Sequence, residues 1–365
     1  MIFRLMAIAL AGAALLASTG AAHAVPRYSA RYGQRCQLCH EDPSGGGMRS
    51  AYASEYLLPN EIAMRPSFDE GVERIERALT RSVILGADMR TLAAYSREHK
   101  QTNNFFQMQG DVYLHVQMEP RFAVYAERGI TGSYELFATA SILPANGTLK
   151  VGRFAPAYGW RRPDHTAFTR ATLGYFTPPA HTDVGIELGL FPINMSLNLS
   201  ILNGAPGRLR DSDGARAYVF RVEKRVRAGP LRAAIGGSLL EDAPTSVADW
   251  TAGPFASLSW GPFAWIGECD WQRAAGEVET TSFAISHEVS GRLAQGIDLL
   301  ATYDLHDPDI DRANGAHRRV GIGIDALPLP FAGILGMVYF HDFDEGPAFT
   351  EKDDAEALLV VHFFY

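Results

Sequence analysis

The chain has 365 residues, a formal net charge of −8 and three cysteines. The acidic balance disfavours nucleic acid as a partner, and three cysteines exclude a disulfide framework. Beyond the N-terminal apolar stretch no run of about 18 apolar residues occurs, which argues against a helical membrane protein.

Residues 1–24 read as a secretory signal peptide. Arg4 supplies the positive end, Leu5 to Leu16 is an apolar run, and Ala22-His23-Ala24 is a small-x-small cleavage site. The mature chain is expected to start at Val25 and to be exported. About 340 residues then remain, enough for one large barrel or two ordinary domains.

Residues 25–80 differ from the rest and are expected to form a small α-helical domain. The pentapeptide Cys36-Gln37-Leu38-Cys39-His40 has the spacing of a c-type haem attachment site. Thiols three residues apart can reach the two vinyl groups on one edge of a haem. The histidine that follows can become the proximal iron ligand. One covalently bound haem c is therefore expected, held by Cys36 and Cys39 and ligated by His40. A free dithiol or an adventitious metal site is the alternative, and zinc is disfavoured because no second Cys/His pair has matching spacing.

The distal ligand stays open. Met48 follows the Gly45-Gly46-Gly47 turn, Met64 follows a proline-containing loop, and His115 could approach from a barrel lumen. A methionine ligand would raise the potential. Helices are expected over Met48 to Leu58 and over Phe68 to Leu79. The second has Val72, Ile75 and Leu79 at helical spacing, and Asp69 and Glu70 near its positive end. At about 55 residues this unit is too small to build a large core alone.

From Val83 the period changes to two. Phe106, Met108, Gly110, Val112, Leu114, Val116 and Met118 fall on one face; Gln107, Gln109, Asp111, Tyr113, His115 and Gln117 fall on the other. Only a strand sorts them this way. Sixteen such segments are expected, near 83–95, 105–118, 121–129, 133–143, 147–157, 182–191, 193–202, 215–226, 230–240, 249–260, 262–272, 279–289, 293–305, 317–327, 331–341 and 354–365. The lengths cluster near the 9–11 residues of a tilted membrane strand. The connections alternate between long (158–181, 203–214, 306–317, 342–353) and mostly short (119–120, 144–147, 192, 228–229, 261). The third, near 129–132, is a short exception. Long outer loops with short inner turns are the pattern of outer-membrane barrels. The fold class expected is thus an all-β transmembrane barrel of about 16 antiparallel strands over residues 81–365, with both termini periplasmic. The last segment alternates Ala355, Ala357, Leu359, Val361, Phe363 and Tyr365, and its terminal aromatic resembles the assembly signal of such barrels. A periplasmic β-sandwich is the competing architecture.

Among other polar features, the fifth connection carries Arg153, Arg161, Arg162 and Arg170. It looks like the inward-folding loop of anion-type porins, and its arginines could bind anions or neutralise haem propionates. The acidic stretches His306 to Asp311 and Asp342 to Glu345, with Glu351, Asp353 and Asp354, could attract Fe²⁺ or Ca²⁺, or simply be solvated. Cys269 shares a face with Phe263, Trp265 and Trp271, where it should meet lipid as a small apolar residue. Asp111, Glu135, Glu187, Glu268, Asp270 and Asp298 are expected to hydrate or pair inside the lumen.

The order signal peptide, single CxxCH, then barrel resembles the fused monohaem cytochrome–porins of the bacterial outer membrane, best known from Fe(II)-oxidising bacteria. The segment Pro26 to His40, an aromatic- and Gly-containing lead into CxxCH, is similar to that family's haem segment. The resemblance is specific over about 35 residues and architectural over the barrel. It implies electron transfer from an extracellular donor, such as Fe(II) or another metal, to a periplasmic c-type cytochrome or other carrier, in contact with outer-membrane lipid. The hydrocarbon layer is about 25 Å tall, so a single haem bridges it poorly unless it lies within the barrel. Residues 25–80 are therefore expected to plug the lumen or close its periplasmic mouth. Two other functions remain open: a diffusion porin with a haem-bearing plug or gate, and a periplasmic haem protein built on a β-sandwich.

Overall fold

A computed structural model describes residues 26–64, 78–96, 104–130, 132–162, 167–171, 182–211, 214–242, 249–275, 279–344 and 355–365. The signal-peptide segment lies outside them.

Sixteen strands close a ring. After a three-residue stub, β1 (Ala78–Thr80), come β2 (Val83–Ser96), β3 (Asn104–Glu119), β4 (Phe122–Gly129), β5 (Tyr134–Leu143), β6 (Gly147–Phe154), β7 (Asp183–Leu190), β8 (Met195–Leu202) and β9 (Ala217–Ala228). The second half comprises β10 (Leu231–Asp242), β11 (Asp249–Trp260), β12 (Phe263–Ala275), β13 (Glu279–Ala294), β14 (Ile297–Asp307), β15 (His317–Leu329), β16 (Ala332–Phe343) and β17 (Ala355–Phe364). Each strand from β2 onward is antiparallel to the next, and β17 returns to β2 from Glu356↔Ser96 to Phe364↔Asp88. Closure leaves no unpaired edge, the condition for crossing hydrocarbon with strands. It also rules out the β-sandwich, whose two sheets keep open edges. No helix among the described residues is long and apolar enough to cross a membrane.

Alternation decides which side chains meet lipid. On β3, Val112 and Leu114 are exposed while Asp111, Tyr113 and His115 are buried in the lumen. On β12, Phe263 and Trp271 point outward and Ala264, Ile266, Glu268 and Asp270 point inward. Val151, Ile186, Leu199, Ile235, Leu258, Val320, Ile322 and Leu359 continue the apolar outer surface. A band this extensive needs an apolar solvent. Cys269, on the outward parity of β12, is a free thiol.

The N-terminal segment occupies the lumen. It contains helix α1 (Pro26–Tyr32), a single helical turn α2 (Cys36–Cys39) and a π-helical stretch (Tyr52–Ile62). Proline is favoured at the first helical position, where its missing N–H costs nothing. Helix α1 buries Arg27, Tyr28, Ala30 and Arg31, and hydrophobic periodicity cannot find a helix whose inner face is charged. The partners are luminal carboxylates. Arg27 pairs with Glu288 at 2.9 Å and Asp325 at 3.1 Å, and Arg31 with Asp298 at 2.8 Å.

Two helical expectations are corrected. The helix expected from Met48 starts later, at Tyr52; Met48 belongs instead to the preceding hairpin, where its N–H donates to the Tyr125 hydroxyl (3.0 Å). Pro59 lies inside the helix and lacks an N–H, and the end is wide: Ala63 N–H donates to Leu58 O, five residues back. Of the helix expected over Phe68 to Leu79, the described end, Ala78 and Leu79, belongs to exposed β1; the remainder lies outside the described residues.

Candidate functional site: a cavity between plug and barrel

The plug turns back on itself at the pentapeptide. Turn α2 ends where His40 N–H donates to Cys36 O (3.1 Å). Residues 40–49 then form a tight hairpin, with a bridge between His40 and Arg49 and the bonds Glu41 N–H to Met48 O (3.0 Å) and Ser50 N–H to Cys39 O (3.0 Å). The hairpin tip is Gly45-Gly46-Gly47, each with positive φ (93°, 87° and 59°). A Cβ on Gly45 would stand 2.8 Å from Cys36 Cβ, and one on Gly47 would overlap the Tyr125 hydroxyl. Both conformation and space thus require glycine here. Gly47→Ala should loosen the plug by about 1–3 kcal/mol through the left-handed backbone alone. Faster proteolysis of residues 26–64 in the detergent-extracted protein, with the barrel intact, is the measurement.

The hairpin is locked to the wall by a buried charge network. Lys150 of β6, 1% exposed, contacts Asp42 Oδ1 at 2.9 Å and Glu187 Oε1 at 3.0 Å. It also donates to Ser44 Oγ at 2.6 Å. Arg161 reaches Asp42 Oδ2 at 3.1 Å. Burial pushes the Asp42 carboxyl up, but Lys150 and Arg161 outweigh that and hold it at about 2.

Arg161 comes from the opposite direction. The long connection after β6 folds into the barrel, where Tyr158 Oη donates to Asp270 (2.7 Å), Gly159 N–H to Ser238 Oγ (2.9 Å) and Trp160 N–H to Glu268 (3.0 Å). Trp160 Nε1 donates to the carbonyls of Ala256 and Gly267. The expected inward loop is therefore present, and the carboxylates Glu268 and Asp270 have the luminal partners that their parity implied.

Between this loop and the plug lies a cavity with about 750 Å³ of empty space, its open mouth included. Cys36, Cys39 and His40 line it together. The π-helical stretch supplies an apolar wall of Ala53, Leu57, Leu58 and Ile62, and four guanidinium-bearing residues, Arg35, Arg49, Arg161 and Arg221, also line it. No carboxylate is among the lining residues. Both cysteines are free and partly buried. Burial, with the neighbouring Cys36, raises the Cys39 thiol to about 12. Burial, with Arg49 and Arg161 nearby, lowers the His40 imidazole to about 4 and keeps it neutral. Its Nδ1 is buried without a hydrogen-bond partner, while the ring has a backbone hydrogen bond at Gly47. An imidazole anchored on one side with an unsatisfied buried nitrogen can ligate a metal.

The remaining candidates lie elsewhere. Met48 is fully buried with Tyr113, Tyr125 and Phe137 and does not line the cavity. Met64 sits at the short-turn end, its N–H donating to Leu327 O (3.1 Å). His115 faces the lumen with Nδ1 3.5 Å from Glu41. Among the described residues no three His, Cys, Asp or Glu side chains gather closely enough to hold a metal ion; the acidic residues 345–354 lie outside them. Arg35, Arg49 and Arg221 were not expected as lining residues, since arginines scattered between positions 35 and 221 carry no local pattern.

No protein-family model matches the chain, and none of the curated proteins does. Its fold is similar to solved outer-membrane structures. One is OmpT (in-vitro folded), an outer membrane protein of Vibrio cholerae, with TM-score 0.58, 11% identity, and 78% of this chain and 97% of that chain covered. Another is the anion-selective porin from Comamonas acidovorans, with TM-score 0.56, 11% identity, and 78% and 99% covered. A third is Pseudomonas putida OprB, with TM-score 0.59, 7% identity, and 78% and 94% covered. At these identities the fold is what they share, and this chain has the closed sixteen-stranded antiparallel barrel of the outer-membrane porins.

Proposed function

We propose that the chain is an outer-membrane monohaem cytochrome–porin that moves electrons between an extracellular donor and a periplasmic carrier. The cavity carries this reading: Cys36, Cys39 and His40 converge on one space inside the barrel, walled by apolar residues and ringed by arginines. A haem c bound there would supply one-electron redox chemistry. The chain's own residues then divide the work. Cys36 and Cys39 form the thioether links, and His40 presents a neutral ring nitrogen to the iron. Leu57, Leu58 and Ile62 exclude water from the macrocycle. Arg161 and Arg221 already pair with Asp42 and Glu223, so Arg35, bonded to the Phe191 carbonyl, is the arginine that would oppose a propionate charge. Met48 and Met64 remain distal candidates only if the hairpin or the 63–64 segment rearranges on binding, because neither lines the cavity as it stands.

In the haem-loaded protein in intact cells, a reductant too large for the aqueous channels of general porins, such as Fe(II) held in a macromolecular chelate, should reduce the c-type spectrum within the time of mixing. A spectrum that responds only after the cells are permeabilised would sink the conduit reading.

A second reading, a diffusion porin gated by its N-terminal segment, draws on the likeness in fold to porins, one of them described as anion-selective. Against it stands the lumen, filled from one end by residues 26–64 and from the other by Tyr158 to Arg162. Single-channel recording separates the two: sustained ion current with the haem in place supports the porin.

A further inference from the structure

At the long-loop end, far along the strands from the cavity, three histidines gather on neighbouring strands. His306 ends the inward parity of β14 set by Asp298 and Asp304, and it is the register partner of His317. His317 begins β15, two residues before buried Arg319. His341 follows buried Tyr339 by two on β16. All three therefore face the lumen just inside the mouth. His317 Nε2 and His341 Nδ1 stand 2.9 Å apart. The far nitrogen of His341 lies 3.6 Å from Glu356 of β17. His317 stacks on Phe343 with centroids 3.9 Å apart and touches Phe168 at 4.6 Å, and His341 lies 6.2 Å from Phe343 and 6.4 Å from Tyr339, ring centre to ring centre.

We infer that His317 and His341 form a binding site for a first-row divalent transition-metal ion at this mouth. Ligands 90° apart at about 2.0–2.1 Å from an ion are themselves about 2.9 Å apart. The nitrogens thus already have the spacing of adjacent ligands; the ring that donates the N–H···N bond must first move its proton to its other nitrogen (Nδ1 of His317, or Nε2 of His341 on the side of Glu356), after which both facing nitrogens offer lone pairs to one ion. Imidazole suits the borderline metals of this series rather than Ca²⁺ or Mg²⁺. Glu356 stands behind His341, where a carboxylate raises the basicity of the ligating ring. Arg319 is offset by Asp304 at 2.8 Å; on the rim, Arg312 pairs with Asp309 at 2.8 Å and Arg318 with Asp342 at 3.1 Å, and Asp307 is a further carboxylate beside His306. Two histidines leave the other coordination positions to water, so exchange with the medium is fast.

Neither histidine lines the plug cavity, so metal binding is read independently of haem content. Untagged full-length protein in detergent is titrated with Co(II), followed by its visible absorption and by calorimetry. The expected result is one site whose affinity falls at least tenfold in His317→Ala and in His341→Ala, with Glu356→Gln weakening it less. Heat-modifiable gel mobility shows that the variants are folded. Co(II) affinity that is the same in the folded His317→Ala/His341→Ala double variant as in the parent overturns the site.

Discussion

Replacing Cys36 and Cys39 together by alanine should remove all covalently attached haem: no haem-staining band on a denaturing gel and no c-type absorbance in the extract. The barrel should still assemble, because its closure rests on strand pairing from β2 to β17 and neither thiol takes part in it. Single replacements should leave one thioether and a reduced haem content. His40→Ala should act differently. It keeps both attachment points but removes the nitrogen buried against the cavity, so whatever haem is attached should show an altered, ligand-exchangeable spectrum. Undiminished covalent haem in the double variant would refute the assignment of the pentapeptide.

Lys150→Met should produce the largest change in how the plug is held. The ammonium group sits between Asp42 and Glu187, 1% exposed. Removing one partner of a buried ionic network leaves the others uncompensated, at a cost of about 3–5 kcal/mol. Arg161 still reaches Asp42, and Ser200 still donates to Glu187 at 3.0 Å, so the loss should fall toward the lower end. The barrel itself keeps its strands. The consequence is a plug that undocks more often: faster protease cleavage between residues 26 and 64, and brief openings in single-channel records where the parent is closed. A double Asp42→Asn/Lys150→Met variant removes both signs of the central pair and should recover part of the protection. Equal protease resistance in parent and Lys150→Met would show that the network does not hold the plug.

The strands were legible because two solvents act on them at once. Lipid outside and a polar lumen inside impose period two on each strand, so Val112 and Asp111 sort without knowledge of their neighbours. The alternation of loop lengths is equally local. The inward loop was legible in outline from its arginines, although which of them lines the cavity was not. Helix α1 was missed because its buried face is charged, and charge reads as surface until Asp298, Asp325 and Glu288 are seen opposite. The plug helix starts at Tyr52 rather than Met48 because Met48 is taken up by the hairpin, bonded to Glu41 and to Tyr125, a residue 77 positions away.

Sequence by itself determined three things about this protein: the strand count, the side of each strand that faces lipid, and the clustering of two thiols and an imidazole within five residues. Each is set by spacing along the chain, which backbone geometry converts directly into direction. Tertiary structure alone decided where that pentapeptide lies, that Arg35, Arg49, Arg161 and Arg221 share its cavity, and that His317 meets His341. These contacts join residues tens to hundreds of positions apart. Barrel closure and the buried charge pairs bring them together, and neither leaves a periodic trace in the chain.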